Sequence, residues 1–245
     1  MGKTTLFSDI ETNEELAEQA LETSTGGGGF VKKCGVYKMT IEKAFLTPTK
    51  KGGVCLNLHF GGDNLFEAKL YPVIVKNGKK VTTYTFKGKA VSLGDYKLLK
   101  QLLFVTNGKP IDLQDMDTTE ETIKYKEYGK DVEVEGETCN DLVGKDVNVG
   151  VRLAEKYAWN NDEGEVDKTQ LATNSDGDIL YESSIFSVYS QSGKTPTEII
   201  KKEEAKQIES DREFLNSDKA IKRVKLEAVE FEEDESGDLE DELDF

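Results

Sequence analysis

Asn77-Gly78 stands between Val73-Ile74-Val75-Lys76 and Lys79-Lys80-Val81-Thr82-Thr83-Tyr84, and no other dipeptide constrains the fold as strongly. Both residues tolerate positive φ, which a two-residue type I′ turn requires, so a tight antiparallel ribbon is expected here. With that loop Lys76 pairs with Lys79, Val75 with Lys80, Val73 with Thr82 and Tyr71 with Tyr84. Because side chains alternate along a strand, Lys69, Tyr71, Lys80, Tyr84 and Phe86 then share one ribbon face.

Alternation recurs on both sides of the ribbon. From Val36 to Phe45, Tyr37, Met39 and Ile41 fall on one face and Lys38, Thr40 and Glu42 on the other. From Val54 to Phe60, Val54, Leu56, Leu58 and Phe60 point inward and Cys55, Asn57 and His59 outward, after a lysine-bearing turn at residues 48–53. Ser92 is placed to cap a helix reaching about Phe104, with Tyr96, Leu99, Leu102 and Leu103 on its apolar side. Residues 112–141 are acid-rich with little apolar periodicity and read as a long loop or insertion, and 160–177 as a second loop. Strands return at Val147–Ala154 and Ile179–Tyr189. Thr195-Pro196-Thr197-Glu198 combines a capping box with proline at the first helical position and opens a final helix carrying Ile199, Ile200, Ile208 and Leu215. The fold class is therefore mainly β with peripheral helices. Its order, strand, strand, hairpin, helix, strand, strand, suits a five-stranded Greek-key barrel of the OB type with an extended β-hairpin and acidic insertions.

Two segments fall outside this core. Ser8-Asp9-Ile10-Glu11 starts a short amphipathic helix that Gly26 to Gly29 release, so residues 1–29 read as a helix on a flexible tether. Residues 227–245 hold eleven carboxylates and no lysine or arginine and finish on Asp241-Glu242-Leu243-Asp244-Phe245. Such a run repels itself and buries little, so it is expected to stay disordered until a partner binds it. Residues 30–226 form the folded domain between them.

The net charge of −16 conceals a segregation. Residues 30–110 contain fifteen lysines against four carboxylates, with ten aromatics interleaved. Cations that displace counterions from phosphates, beside rings that stack on unpaired bases, suit a flexible polyanion with exposed bases. Lys38, Lys43, Lys50, Lys51, Lys69, Lys76, Lys79, Lys80, Lys87, Lys89 and Arg152 are the expected phosphate contacts. Tyr37, Tyr71, Tyr84, Phe86, Tyr157 and Trp159 are the expected stacking residues, although about half the aromatics of such strands belong to a core.

Catalytic and cofactor chemistry finds little foothold. The single histidine, His59, lies mid-strand, and Cys55 on the same strand would stand about 13 Å from it, too far to share a zinc ion. Ser192-Gly193-Lys194-Thr195 lacks the first glycine of a phosphate-binding loop, since Val188 occupies that place. Asn174-Ser175-Asp176-Gly177-Asp178 lacks the outer ligands of a calcium loop and reads as a turn. Cys34, Cys55 and Cys139 are odd in number and widely spaced, which argues against a disulfide framework. No cofactor and no metal is expected. Asp63 with Glu67-Ala68-Lys69 is the nearest approach to a metal-dependent nuclease motif and keeps that alternative open.

The lysine-rich strands from Lys38 to Lys89, the segment Leu142-Val143-Gly144-Lys145-Asp146-Val147 and the terminal Asp244-Phe245 together resemble bacteriophage single-stranded DNA-binding proteins. The resemblance implies an OB-fold core that coats single-stranded DNA during phage replication and recombination, without catalysis, in the cytoplasm of an infected bacterial host. It further implies that Asp241, Glu242, Leu243, Asp244 and Phe245 compete with DNA for the groove and recruit a replication protein such as a polymerase or helicase. The acidic segments and the tethered N-terminal helix depart from that pattern. A rival reading is an acidic DNA mimic that binds a protein partner, but such a factor has no need of the lysine-rich block.

Overall fold

The structure, a computed structural model, describes residues 2–3, 6, 33–62, 66–127, 130–160 and 165–224. The expected N-terminal helix, the glycine tether, the Trp159 side chain, Asp63 and the acidic tail lie outside the described residues. The strands are β1 (Gly2–Lys3), β2 (Gly35–Pro48), β3 (Val54–Gly61), β4 (Phe66–Lys76), β5 (Lys79–Val81), β6 (Thr83–Phe86), β7 (Lys89–Ser92), β8 (Asp117–Glu127), β9 (Lys130–Cys139), β10 (Asp146–Glu155), β11 (Tyr157–Asn160), β12 (Glu165–Leu171) and β13 (Tyr181–Tyr189). The helices are α1 (Gly94–Asn107), α2 (Pro196–Lys201) and α3 (Gln207–Leu215). They divide into one unit of residues 1–155 with 181–223 and another of residues 156–180 with 224–245.

The first unit is mainly β, an antiparallel sheet curled strongly into a half-barrel. Its path runs β1-β8-β9-β2-β3-β4-β5, while β10 pairs with β2 and carries β13. β2 makes this possible by changing partners along its length. Residues 35–40 lie against 146–151 of β10, and residues 40–48 against β3. Helix α1 packs on both β4 and β13, which share no ladder, and so fills the opening between them.

A bulge at Glu42 reverses the expected alternation of β2. Before it Met39 and Ile41 enter the core; after it Ala44 and Leu46 do, which turns Lys43, Phe45 and Thr47 to the opposite face. Gly61 makes room for the bulge, because a Cβ there would collide with the Glu42 side chain. In β3 the expected inward set, Val54, Leu56, Leu58 and Phe60, is buried. Cys55 and Asn57, expected outward, are also buried, because this second face is covered as well.

Several expectations need correction. The Asn77-Gly78 turn forms with φ of 51° and 75°, and Lys76 faces Lys79 and Val75 faces Lys80 as expected. The ribbon then stops at Ile74 opposite Val81: Val73 pairs with Val54 and not with Thr82, and Tyr84 pairs with Val91 and not with Tyr71. A second two-residue turn at Lys87-Gly88, with φ of 49° and 77°, folds β6 onto β7 instead. Ser92 does not cap α1; it ends β7, Leu93 holds the cap position, and Gly108 closes the other end in the left-handed conformation.

Residues 112–141 are not a loop. They contain the long antiparallel strands β8 and β9, paired from Thr118 with Cys139 to Glu127 with Lys130. The second presumed loop is the β11–β12 ribbon of the second unit, followed by a turn in which Asn174 Oδ1 accepts from the backbone N–H of Asp176 and Asp178. The final helix is two helices, and Glu198 serves both. Its carboxylate accepts from Thr195 N–H and hydroxyl in the capping box, and from the backbone N–H of Lys206 and Gln207 at the start of α3.

Candidate nucleic-acid interface

Pro72 shapes the centre of the candidate site. Lacking an N–H, it cannot donate to the β3–β4 ladder, and the register shifts there: Val54 faces Val73 but Leu56 faces Leu70. The bulge turns Tyr71 outward, leaving it 46% exposed, and releases its N–H from the ladder. That N–H donates to Asp95 Oδ2 at 2.7 Å, in the first turn of α1, where a carboxylate also favours the helix dipole. The Tyr71 hydroxyl is hydrogen-bonded to Cys55. The residue is thus held at its backbone and at its tip while nearly half of its surface stays exposed.

The second wall comes from the β8–β9 hairpin. β9 pairs with β2 only at Phe45 with Thr138 and Leu46 with Glu137. Farther out the hairpin leaves that ladder and covers the sheet through Tyr125, whose ring lies 5.2 Å from Phe45 and 5.4 Å edge-on to His59. This explains why Phe45 is buried although it faces away from the main core. Between the walls runs a groove with Cys55 and Asn57 as floor, Lys69 and Tyr71 on one side, Tyr125, Val134 and Glu135 on the other, and Thr47, Thr49 and Lys50 at the end. Asn57 is fixed by its Nδ2 donating to Thr47 Oγ1 at 3.1 Å.

Ionisation follows burial. Burial pushes the Cys55 thiol up to about 11, so it is no thiolate nucleophile at neutral pH. Burial, assisted by Lys43 and Lys69, lowers His59 below its ordinary value despite Glu67, whose carboxylate lies 3.4 Å from Nδ1. Burial likewise raises Tyr71. Among the described residues no three His, Cys, Asp or Glu side chains converge to hold a metal ion.

The structure unites some of the expected contacts and separates others. Lys50, Lys69 and Tyr71 line the groove. Lys51, Lys79 and Lys80 line a neighbouring hollow beside Gly78, and Lys80 donates to the Leu6 carbonyl. Lys76 is exposed at the ribbon end and Lys38 on β2. Tyr84, Phe86, Lys87 and Lys89 are exposed on the β6–β7 ribbon, with Lys87 Nζ 5.4 Å from the Phe86 ring centre.

Others are engaged within the fold. Tyr37 is not an open platform: its ring packs against the core and its hydroxyl donates to the Lys33 carbonyl at 2.9 Å. Lys43 donates to the Lys124 carbonyl at 2.7 Å. Arg152 donates to the Ala220 carbonyl and lies over the Phe214 ring, so it fastens the C-terminal helices to β10. Tyr157 is half-buried in the second unit, and the Trp159 backbone faces Val166 there.

Tyr125, Asn57 and Glu135 were missed. Only the folded hairpin brings Tyr125 and Glu135 to the groove; the one signal in the sequence is the Thr, Ile and Val alternation of residues 118–138, which the carboxylates obscure. Compared with protein-family models, curated proteins and solved structures, the chain matches none.

Proposed function

We propose that this protein is a non-catalytic single-stranded DNA-binding protein built on an OB-type barrel. The strand sequence β4-β3-β2-β10-β13, with α1 between the third and fourth of these strands in chain order, supports the barrel reading. The observation that carries the function is Tyr71: a half-exposed aromatic residue, tethered at its backbone N–H and its hydroxyl, in a groove with Lys50 and Lys69. A fixed ring stacks on an unpaired base at little entropic cost, and neighbouring ammonium groups take the flanking phosphates. The exposed aromatics and lysines of the β6–β7 ribbon extend the same chemistry to more nucleotides. In this reading the protein coats and protects single strands during phage replication and recombination, while the acidic segment 227–245 competes for the groove and its Phe245 recruits a polymerase or helicase.

Titration with equal-length single-stranded, duplex and RNA oligomers tests this. Single strands bind more tightly than duplex because stacking needs unpaired bases, and deleting residues 227–245 tightens binding most at low salt. Equal affinity for duplex and single strand removes the proposal.

A further inference from the structure

The groove has one wall of a kind that phosphate binding does not require. Glu135, exposed on β9, lines it together with Tyr71, Tyr125, Lys50 and Lys69. A carboxylate repels a phosphate, so in a surface serving only the backbone its place in a groove with two lysines is a cost. It becomes useful if the edge of a base reaches it. Glu135 Oε1 accepts from Thr122 Oγ1 at 2.7 Å across the hairpin, which orients the carboxylate and leaves Oε2 unengaged among the described residues. A base lying on Tyr71, with its flanking phosphates at Lys50 and Lys69, turns an edge to the opposite wall, where Glu135 stands.

Building on the proposed single-strand binding, we infer that this groove reads the base and favours guanine over thymine. An ionised carboxylate only accepts hydrogen bonds. Guanine offers two adjacent donors, N1–H and the 2-amino group, one for the unengaged Oε2 and one for the second lone pair of Oε1. Thymine offers a single N–H between two carbonyl oxygens, both of which repel the carboxylate. Adenine and cytosine, each with one amino group beside an acceptor nitrogen, fall between. Thr47 and Thr49 at the end of the groove carry hydroxyls that donate or accept and so discriminate little.

The test is fluorescence titration of the full chain with a twelve-residue thymidine oligomer and with the same oligomer carrying isolated guanines, spaced to prevent quartet formation. Wild-type protein is expected to bind the guanine-bearing strand roughly fivefold or more tightly, the discrimination of one good bidentate contact. Glu135→Gln is expected to erase that preference, because the amide presents a donor to thymine O4. Equal affinity of wild-type protein for the two oligomers overturns the inference without touching single-strand binding. A Glu135→Gln variant that tightens both equally overturns it too, since the carboxylate then acts only as a charge. Failure of both oligomers to bind sinks the underlying function instead. The wild-type comparison requires no variant to fold.

Discussion

Tyr71→Ala separates a stacking platform from a packing residue. The ring is 46% exposed, so about half of it is buried against the fold. Complete truncation of a buried aromatic costs about 3 to 5 kcal/mol, and half-burial scales this to about 1.5 to 2.5 kcal/mol of stability. For a domain of this size the melting midpoint then falls by roughly 3 to 10 °C. Loss of a base stack costs about 1 to 3 kcal/mol of binding, which is roughly 5- to 150-fold in Kd. Both are read on one preparation, by thermal melting and by anisotropy titration with a labelled single strand well below the midpoint. Tyr71→Phe keeps the ring and loses only the hydroxyl tether to Cys55, so it retains most of the affinity. If Tyr71→Ala lowers the midpoint as expected while Kd stays within about twofold, the ring is packing and the stacking argument fails.

Glu198 gives a pH signature. Burial alone would raise its carboxyl, but hydrogen bonds from the backbone of Gln207, Thr195 and Lys206 and from the Thr195 hydroxyl hold it below the ordinary carboxylate value. Its contribution is therefore complete above the unfolded-state pKa and disappears as pH falls through the lower folded value. Glu198→Gln should lower stability at pH 7 by about 2 kcal/mol and flatten the loss of stability as pH falls below the ordinary carboxylate value; unchanged acid sensitivity in chemical denaturation contradicts the shared cap. Arg152→Ala should loosen the C-terminal helices from β10, costing about 1 to 2 kcal/mol in stability with Kd for single strands unchanged; a binding defect in stable protein would return Arg152 to the interface.

Features decided by neighbouring residues were legible in the sequence. Asn77-Gly78 forms its turn, and Thr195-Pro196-Thr197-Glu198 forms its capping box, because both depend on a few adjacent backbone groups. Lys87-Gly88 adopts the same pair of positive φ values without a comparable signal, since lysine seldom occupies the first of those positions. The Glu42 bulge is invisible to a count of alternating residues, yet it decides that Phe45 packs against His59 and Tyr125 and not in the main core. The β8–β9 hairpin reads as a loop in the sequence because it is acid-rich with little apolar periodicity, and its ladder even sets Glu120 opposite Glu137, a pairing that costs stability. The fold offsets it locally: Glu137 is buried and accepts from the Thr118 hydroxyl and the Leu6 N–H. Tyr71 was recognisable as an exposed aromatic among lysines, whereas Tyr125 and Glu135 became visible only when that hairpin closed over the sheet.

The same hairpin changes the electrostatics inferred from composition. Counting all fifteen lysines of residues 30–110 as phosphate contacts implies a salt slope near −10 for single strands, at about −0.7 per phosphate. The structure gathers far fewer. Lys50 and Lys69 line the groove and Lys51, Lys79 and Lys80 the adjoining hollow. Lys43 instead serves Lys124, and Lys100 is buried, donating to the Ile111 carbonyl and to Asp112. Leaving out Lys80, which serves the Leu6 carbonyl, and adding Lys87 and Lys89 of the β6–β7 ribbon, six contacts give a slope of about −4, and Glu135 on the opposite wall cannot increase it. Plotting the logarithm of the association constant against log salt concentration for a strand short enough to occupy one protein is expected to give about −4. A slope near −10 would mean that DNA follows the lysines over the whole surface, and the groove would lose its place as the principal site.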